Sequence, residues 1–178
     1  MKLYISSYAP NPRRVSMFIA EKGIGGIDTV MVDIMKGEHR AEGYLAKNPL
    51  GRVPALELDD GRVLSEARAI CTYLEGLHPE PNLMGVDFDE RAFIEMADRR
   101  MELHLLLETA SAARHSHPAL AVLEQPQFAD YGAARPTRCA SPRAGSTSCW
   151  RARTTWPARA SRLPTSPPSA HWNSGVAC

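Results

Sequence analysis

The chain has 178 residues, 44% of them hydrophobic, and 21 Lys and Arg against 20 Asp and Glu give it a net charge of +1. No signal segment and no bilayer-length apolar run is legible, so a cytoplasmic protein without a membrane partner is expected. The six histidines (39, 78, 104, 115, 117 and 171) have no metal-ligand spacing, and the basic residues are too scattered for a nucleic-acid surface; neither partner is expected.

Met1 to Ile5 reads as a strand, Ser6 to Asn11 as a turn, and Pro12 opens a helix through Val15, Phe18, Ile19 and Ala20 that Gly23 stops. Arg13 and Arg14 on that helix read as solvated or as dimer contacts. Thr29 to Ile34 is a second apolar strand, and Gly37-Glu38-His39-Arg40 leads into a short helix carrying Tyr44 and Leu45. The run Asn48-Pro49-Leu50-Gly51-Arg52-Val53-Pro54 follows, and Pro54 opens an alternation with Leu56 and Leu58 on one face. Proline cannot donate to a sheet ladder, so Pro54 marks a strand edge or start, often with an unusual peptide bond. Val53 before it is held extended, its N–H and C=O free to pair outside the protein.

Asp59-Asp60-Gly61 supplies a hairpin turn, and Arg62 to Ser65 returns to deliver Glu66 to the head of a helix. That helix spaces Ile70, Tyr73 and Leu74 helically, with Cys71 as a small buried hydrophobe rather than a nucleophile. His78-Pro79-Glu80-Pro81 reads as a linker. From Asp87 a long helix carries Phe93, Ile94, Met96, Met101, Leu103, Leu105, Leu106 and Leu107 on more than one face, as in a helix buried among others. His115 and His117 read as a solvated helix end.

In their order and spacing, Val53-Pro54 and Glu66 resemble the glutathione-binding half of the cytosolic glutathione S-transferases. The resemblance implies an α/β thioredoxin-like domain over 1–80, then a partial, truncated all-α domain over 81–134. It also implies glutathione as co-substrate, no metal, a small-molecule electrophile and a homodimer. Glu66 and the Ala67 N–H would hold the γ-glutamyl end, and Val53, ahead of Pro54, would pair with the cysteinyl backbone. His39 and Arg52 would meet the glycyl carboxylate. Family members usually have Ser where this chain has Ala67, so one hydrogen bond of about 0.5–1.5 kcal/mol is missing.

Chemistry in the family is thiol activation. Lowering a thiol pKa of about 8.5 by two units requires roughly 2.7 kcal/mol of preference for the anion. A helix N-terminus supplies about 0.3–1 kcal/mol, and one charge-assisted hydrogen bond of ~1.5–3 kcal/mol closes the gap. The donor belongs between Ser6 and Pro12, yet the Tyr of some classes would fall near Ile5, the Ser of others on Ala9 and the Cys of the beta class on Pro10. Ala9-Pro10-Asn11-Pro12 resembles the Thr-Pro-Asn-Gly of the nu class, which makes Asn11 the catalytic candidate and Ser7 the second. Asn11 equally suits a helix cap. The hydrophobic substrate would lie near Met96, Arg100, Met101 and His104. Besides transferase, a glutathione-dependent disulfide or peroxide reductase and a non-catalytic or defective glutathione-binding product stay open.

The chain changes character near residue 135. Arg135 to Cys178 holds seven Arg, seven Ser, six Pro, all three Trp and no Asp, Glu or Lys, leaving 14 basic against 20 acidic side chains before it. With no helical or strand periodicity, this stretch cannot offset its ordering entropy, so a disordered tail is expected. It also reads as an out-of-frame translation. The neighbouring frame permits Trp-Phe-Asp-x-Leu-Leu, Tyr-Leu-Ala-Gly and Phe-x-x-Ala-Asp-Ile, which resembles the family's second-domain core and places a frame change between 132 and 139. The alternative is a natural disordered Arg/Ser/Pro tail for nucleic acid or acidic surfaces, against which the basic residues are scattered rather than clustered.

Overall fold

The computed structural model describes residues 1–7 and 9–139, the last four of these by backbone alone. Alternation places Leu3 and Leu56 on one face of a sheet and Tyr4 and Ala55 on the other, so both faces carry apolar layers. The strands β1 (Lys2–Ile5), β2 (Asp28–Met31), β3 (Ala55–Glu57) and β4 (Val63–Ser65) lie in the order β2-β1-β3-β4. β1 runs parallel to β2, while β1–β3 and β3–β4 are antiparallel. This is the thioredoxin-like arrangement. Helices α1 (Pro10–Glu21) and α3 (Ala67–Leu77) bring Val15, Ile70, Cys71 and Leu74 onto the Leu3 face. Tyr44 of the short α2 (Glu42–Leu45) packs on the opposite face.

Two boundaries differ from expectation. β2 ends at Met31 because Asp33 turns the chain, its Oδ1 accepting from the N–H groups of Met35 and Lys36 at 3.0 and 3.2 Å. α1 begins at Pro10, so Pro10 and Pro12 fill first-turn positions whose missing N–H costs nothing. Ala9 occupies the cap position without a side-chain bond. Asn11 therefore does not cap the helix.

The connection after α3 is anchored by a residue that carried no signal in the sequence. The Lys22 side chain is fully buried, donates to the His78 and Pro81 carbonyls at 2.5 and 2.7 Å and pairs with Glu75 at 2.7 Å. Helix α4 (Phe88–Met101) starts with a reciprocal cap: the Asp87 carboxylate accepts from the Glu90 N–H, and the Glu90 carboxylate from that of Val86, both at 2.9 Å. A π-helical turn over Glu102–Leu106 joins it to α5 (Leu107–Ser116). The expected burial of this long helix is not met, since no residue of α4 is buried and Phe93, Met96, Met101, Leu103, Leu105 and Leu107 stay exposed.

Helix α6 (Ala129–Cys139) packs on α5 and continues past residue 134 into the stretch expected to lack structure. Arg135 explains part of this, donating to both carboxylate oxygens of Glu108 at 2.6 and 2.7 Å. The rest of the expected disordered tail, residues 140–178, lies outside the described residues. His115 is not solvated as expected: its ring meets that of Tyr131 edge-on at 4.8 Å, and its Nδ1 accepts from the Phe128 N–H at 3.1 Å.

Candidate functional site

The N-terminus of α1, the junction of β4 with α3, and α4 enclose a cleft of about 320 Å³ whose walls include Asn11, Arg14, Glu66, Ala67, Arg68 and Glu95. That volume is at the lower end of the ~300–1,000 Å³ typical of small-molecule sites. Glu66 is the one non-glycine residue with positive φ among those described, at 69°. Such a backbone costs of order 1–3 kcal/mol and persists where the surroundings over-determine it. Here the hairpin register and the start of α3 do so, with Glu66 exposed and Ala67 buried beside it.

Ala55–Ser65 is the last pair of the β3–β4 ladder, so Pro54 and Glu66 each directly adjoin it in the chain. The Val53–Pro54 peptide is cis. The Arg52 carbonyl just before it accepts from Tyr44 Oη at 2.6 Å and from Asn48 Nδ2 at 2.8 Å. Gly51 has φ of 57°, and a Cβ there would sit 3.0 Å from the His39 carbonyl, so glycine lets the two loops close up.

The candidates thus divide between two neighbouring places. Asn11, Glu66 and Ala67 share the cleft wall. Val53, Pro54, Arg52 and His39 are brought together by the adjoining loops and do not line it. Arg52 is exposed, whereas His39 is buried and its Nδ1 has no hydrogen-bond partner. Burial, helped by the charge of Arg40, holds the His39 pKa below its ordinary value, so the ring is neutral at pH 7. Ser7 is exposed in the β1–α1 turn, off the cleft wall.

A second, largely apolar cleft of about 520 Å³ adjoins the first through Arg14 and Glu102 and is walled by Met101, Leu105 and Leu106. Of the expected substrate residues only Met101 lies on it. Met96, Arg100 and His104 fall on neither wall, because helical spacing turns them away from the side that Asp98, Met101 and Leu105 present to Arg14.

Arg14, expected to be solvated or at a dimer contact, is half-buried and donates to Asp98 and Glu102. Burial pushes the Asp98 carboxyl up, and the bonds and charges of Arg14 and Arg68 outweigh it, so Asp98 titrates below its usual range. Arg68 also pairs with Glu95 at 2.6 Å. These pairings join α1 and α3 to α4. The sequence offered no periodic signal for them, since each is an ordinary charged residue on a helix.

Cys71 is buried, and burial pushes its thiol up to about 11 despite the nearby charges of Arg14 and Arg68. Native protein at pH 8 is expected to leave Cys71 unmodified by a thiol-alkylating reagent, with modification of the Cys71 peptide appearing only on unfolding. Rapid native labelling of that peptide, read by mass spectrometry, would overturn the assignment of Cys71 to the core.

Residues 3–82 match the family model described as glutathione S-transferase, N-terminal domain. A glutathione S-transferase domain-containing protein of Marinobacter aquaeolei is 39% identical and superposes with a TM-score of 0.74 over 78% of this chain and 69% of its own. The chain belongs to the glutathione S-transferase family. Glutathione S-transferase 2 of Saccharomyces cerevisiae is 38% identical over 121 residues, 67% of this chain and 52% of the relative. A glutathione transferase homologue from Sulfitobacter, solved with bound glutathione, is 29% identical with a TM-score of 0.66, over 78% of this chain and 64% of its own. The chain spans about half the length of the curated relatives it matches. Among the described residues, no group of three His, Cys, Asp or Glu is arranged to hold a metal, and no helix is long and apolar enough to cross a membrane.

Proposed function

We propose that this family member binds glutathione in the cleft at the head of α3 and activates its thiol for attack on an electrophile held in the adjoining apolar cleft. The observation that carries the reading is Glu66, held at positive φ and lining one cleft together with Asn11 and Ala67. The Glu66 carboxylate takes the γ-glutamyl amino group, the Ala67 N–H at the positive end of α3 takes its carboxylate, and Val53 pairs with the cysteinyl backbone. Arg52 faces the glycyl carboxylate as a charge and His39 as a neutral ring. Asn11, off cap duty and exposed on the wall, donates through Nδ2 to the sulfur. Met101, Leu105 and Leu106 receive the apolar body of the electrophile. The working protein is read as a cytoplasmic homodimer.

Ultraviolet titration of the thiolate of bound glutathione tests this reading. Wild-type protein is expected to lower the bound thiol pKa by about two units, and Asn11→Ala to return about one of them, the share of one charge-assisted bond. Tight binding with an unshifted thiol would make the protein a binding module instead. No binding at all would remove the reading.

A further inference from the structure

Two buried side chains converge on one backbone oxygen, and nothing in thiol chemistry asks for them there. Tyr44 Oη and Asn48 Nδ2 both donate to the Arg52 carbonyl, at 2.6 and 2.8 Å, and both residues are buried. Asn48 has a second tie, since its Oδ1 accepts from the Leu50 N–H at 3.3 Å and its backbone carbonyl from the Gly51 N–H at 2.9 Å. Tyr44 is itself held edge-on against Tyr4, with ring centroids 5.8 Å apart.

The Arg52 carbonyl and the Val53 N–H belong to one planar peptide unit. Fixing the oxygen fixes the direction of the N–H on the opposite side. Among the described residues no hydrogen bond occupies that Val53 N–H. Donors on the oxygen also polarise the unit, which strengthens its N–H as a donor. A loop tied this firmly at its inward face and left open at its outward face is pre-organised for a ligand backbone.

We propose that Tyr44 and Asn48 are positioning residues that aim and polarise the Val53 N–H for the cysteinyl carbonyl of glutathione. This rests on the glutathione reading above. Neither side chain touches the peptide itself; each acts through the Arg52–Val53 unit.

Two variants remove one donor each with little change of shape. Tyr44→Phe deletes the hydroxyl, and Asn48→Asp removes the amide donor while keeping the acceptor for Leu50. Each is expected to weaken glutathione binding roughly 3- to 10-fold by calorimetry, the scale of one hydrogen bond. In the free protein each is also expected to move the Val53 amide proton upfield, a readout independent of any ligand. Lys22→Met serves as the control, because it loosens the fold far from the cleft; its Val53 amide should stay in place and its folded fraction should bind as wild type does. An unmoved Val53 amide in both donor variants would overturn the proposal, and so would wild-type affinity in both. A shifted amide in a protein that does not bind glutathione even as wild type would sink the glutathione reading while leaving the peptide-aiming role of Tyr44 and Asn48 intact.

Discussion

Replacing Lys22 by methionine is expected to cost the native state about 3–5 kcal/mol, the range for removing one partner from a buried ion pair. The loss has two parts. The Glu75 carboxylate keeps its bond from the Leu83 N–H at 3.0 Å but loses its cation, and the carbonyls of His78 and Pro81 lose their donor. Because the contact ties the end of α1 to the linker, the transition should shift down by roughly 10–20 °C, taking ~1 kcal/mol as a few degrees for a domain of this size. The further change Glu75→Met in the Lys22→Met background should recover stability, since an apolar pair no longer leaves a carboxylate without its counter-charge. A double variant less stable than the single one, by thermal or urea unfolding, would show that Lys22 acts through the linker carbonyls and not through the charge.

Lys22 also marks what the sequence could and could not tell. Local rules carried the first 80 residues well: the proline that cannot donate predicted the strand start and unusual peptide at Val53–Pro54, and Asp59-Asp60-Gly61 predicted the hairpin that delivers Glu66. These features depend on a few neighbouring residues. Lys22 does not, because its partners His78, Pro81 and Glu75 are more than 50 positions away. The ion pairs of Arg14 were out of local reach for the same reason, since Asp98 lies on α4 and Glu102 in the turn after it.

Asn11 is a subtler case. Its type suits a cap, but the two prolines moved the helix start back to Pro10 and freed its carboxamide for the cleft. Along α4 and α5 the apolar positions are spread around the helix, and periodicity alone did not decide which side would face α1. Met101 and Leu105 came to that side and Met96 and Arg100 did not. For Lys22, Arg14 and the α4–α5 face a long-range partner, absent from any local window, decided the outcome; for Asn11 two adjacent prolines did.

Glycine in place of Glu66 is expected to make the protein more stable by about 1 kcal/mol and its glutathione binding roughly 10- to 150-fold weaker. The gain comes from relief of a positive φ of 69° that glycine adopts freely, set against the extra freedom glycine gives the unfolded chain. The loss comes from a charge-assisted bond of about 1.5–3 kcal/mol between the carboxylate and the cationic amino group. Glu66→Ala separates the two effects, for it removes the same carboxylate yet keeps a Cβ at the strained position. It should bind as weakly as the glycine variant without the gain in stability. Measured together by calorimetry and thermal unfolding, the two substitutions ask whether strain at the head of α3 is held for the ligand. If both variants bound glutathione as wild type does, the carboxylate would have no part in recognition, and the unfavourable backbone at Glu66 would follow from the turn between β4 and α3 alone.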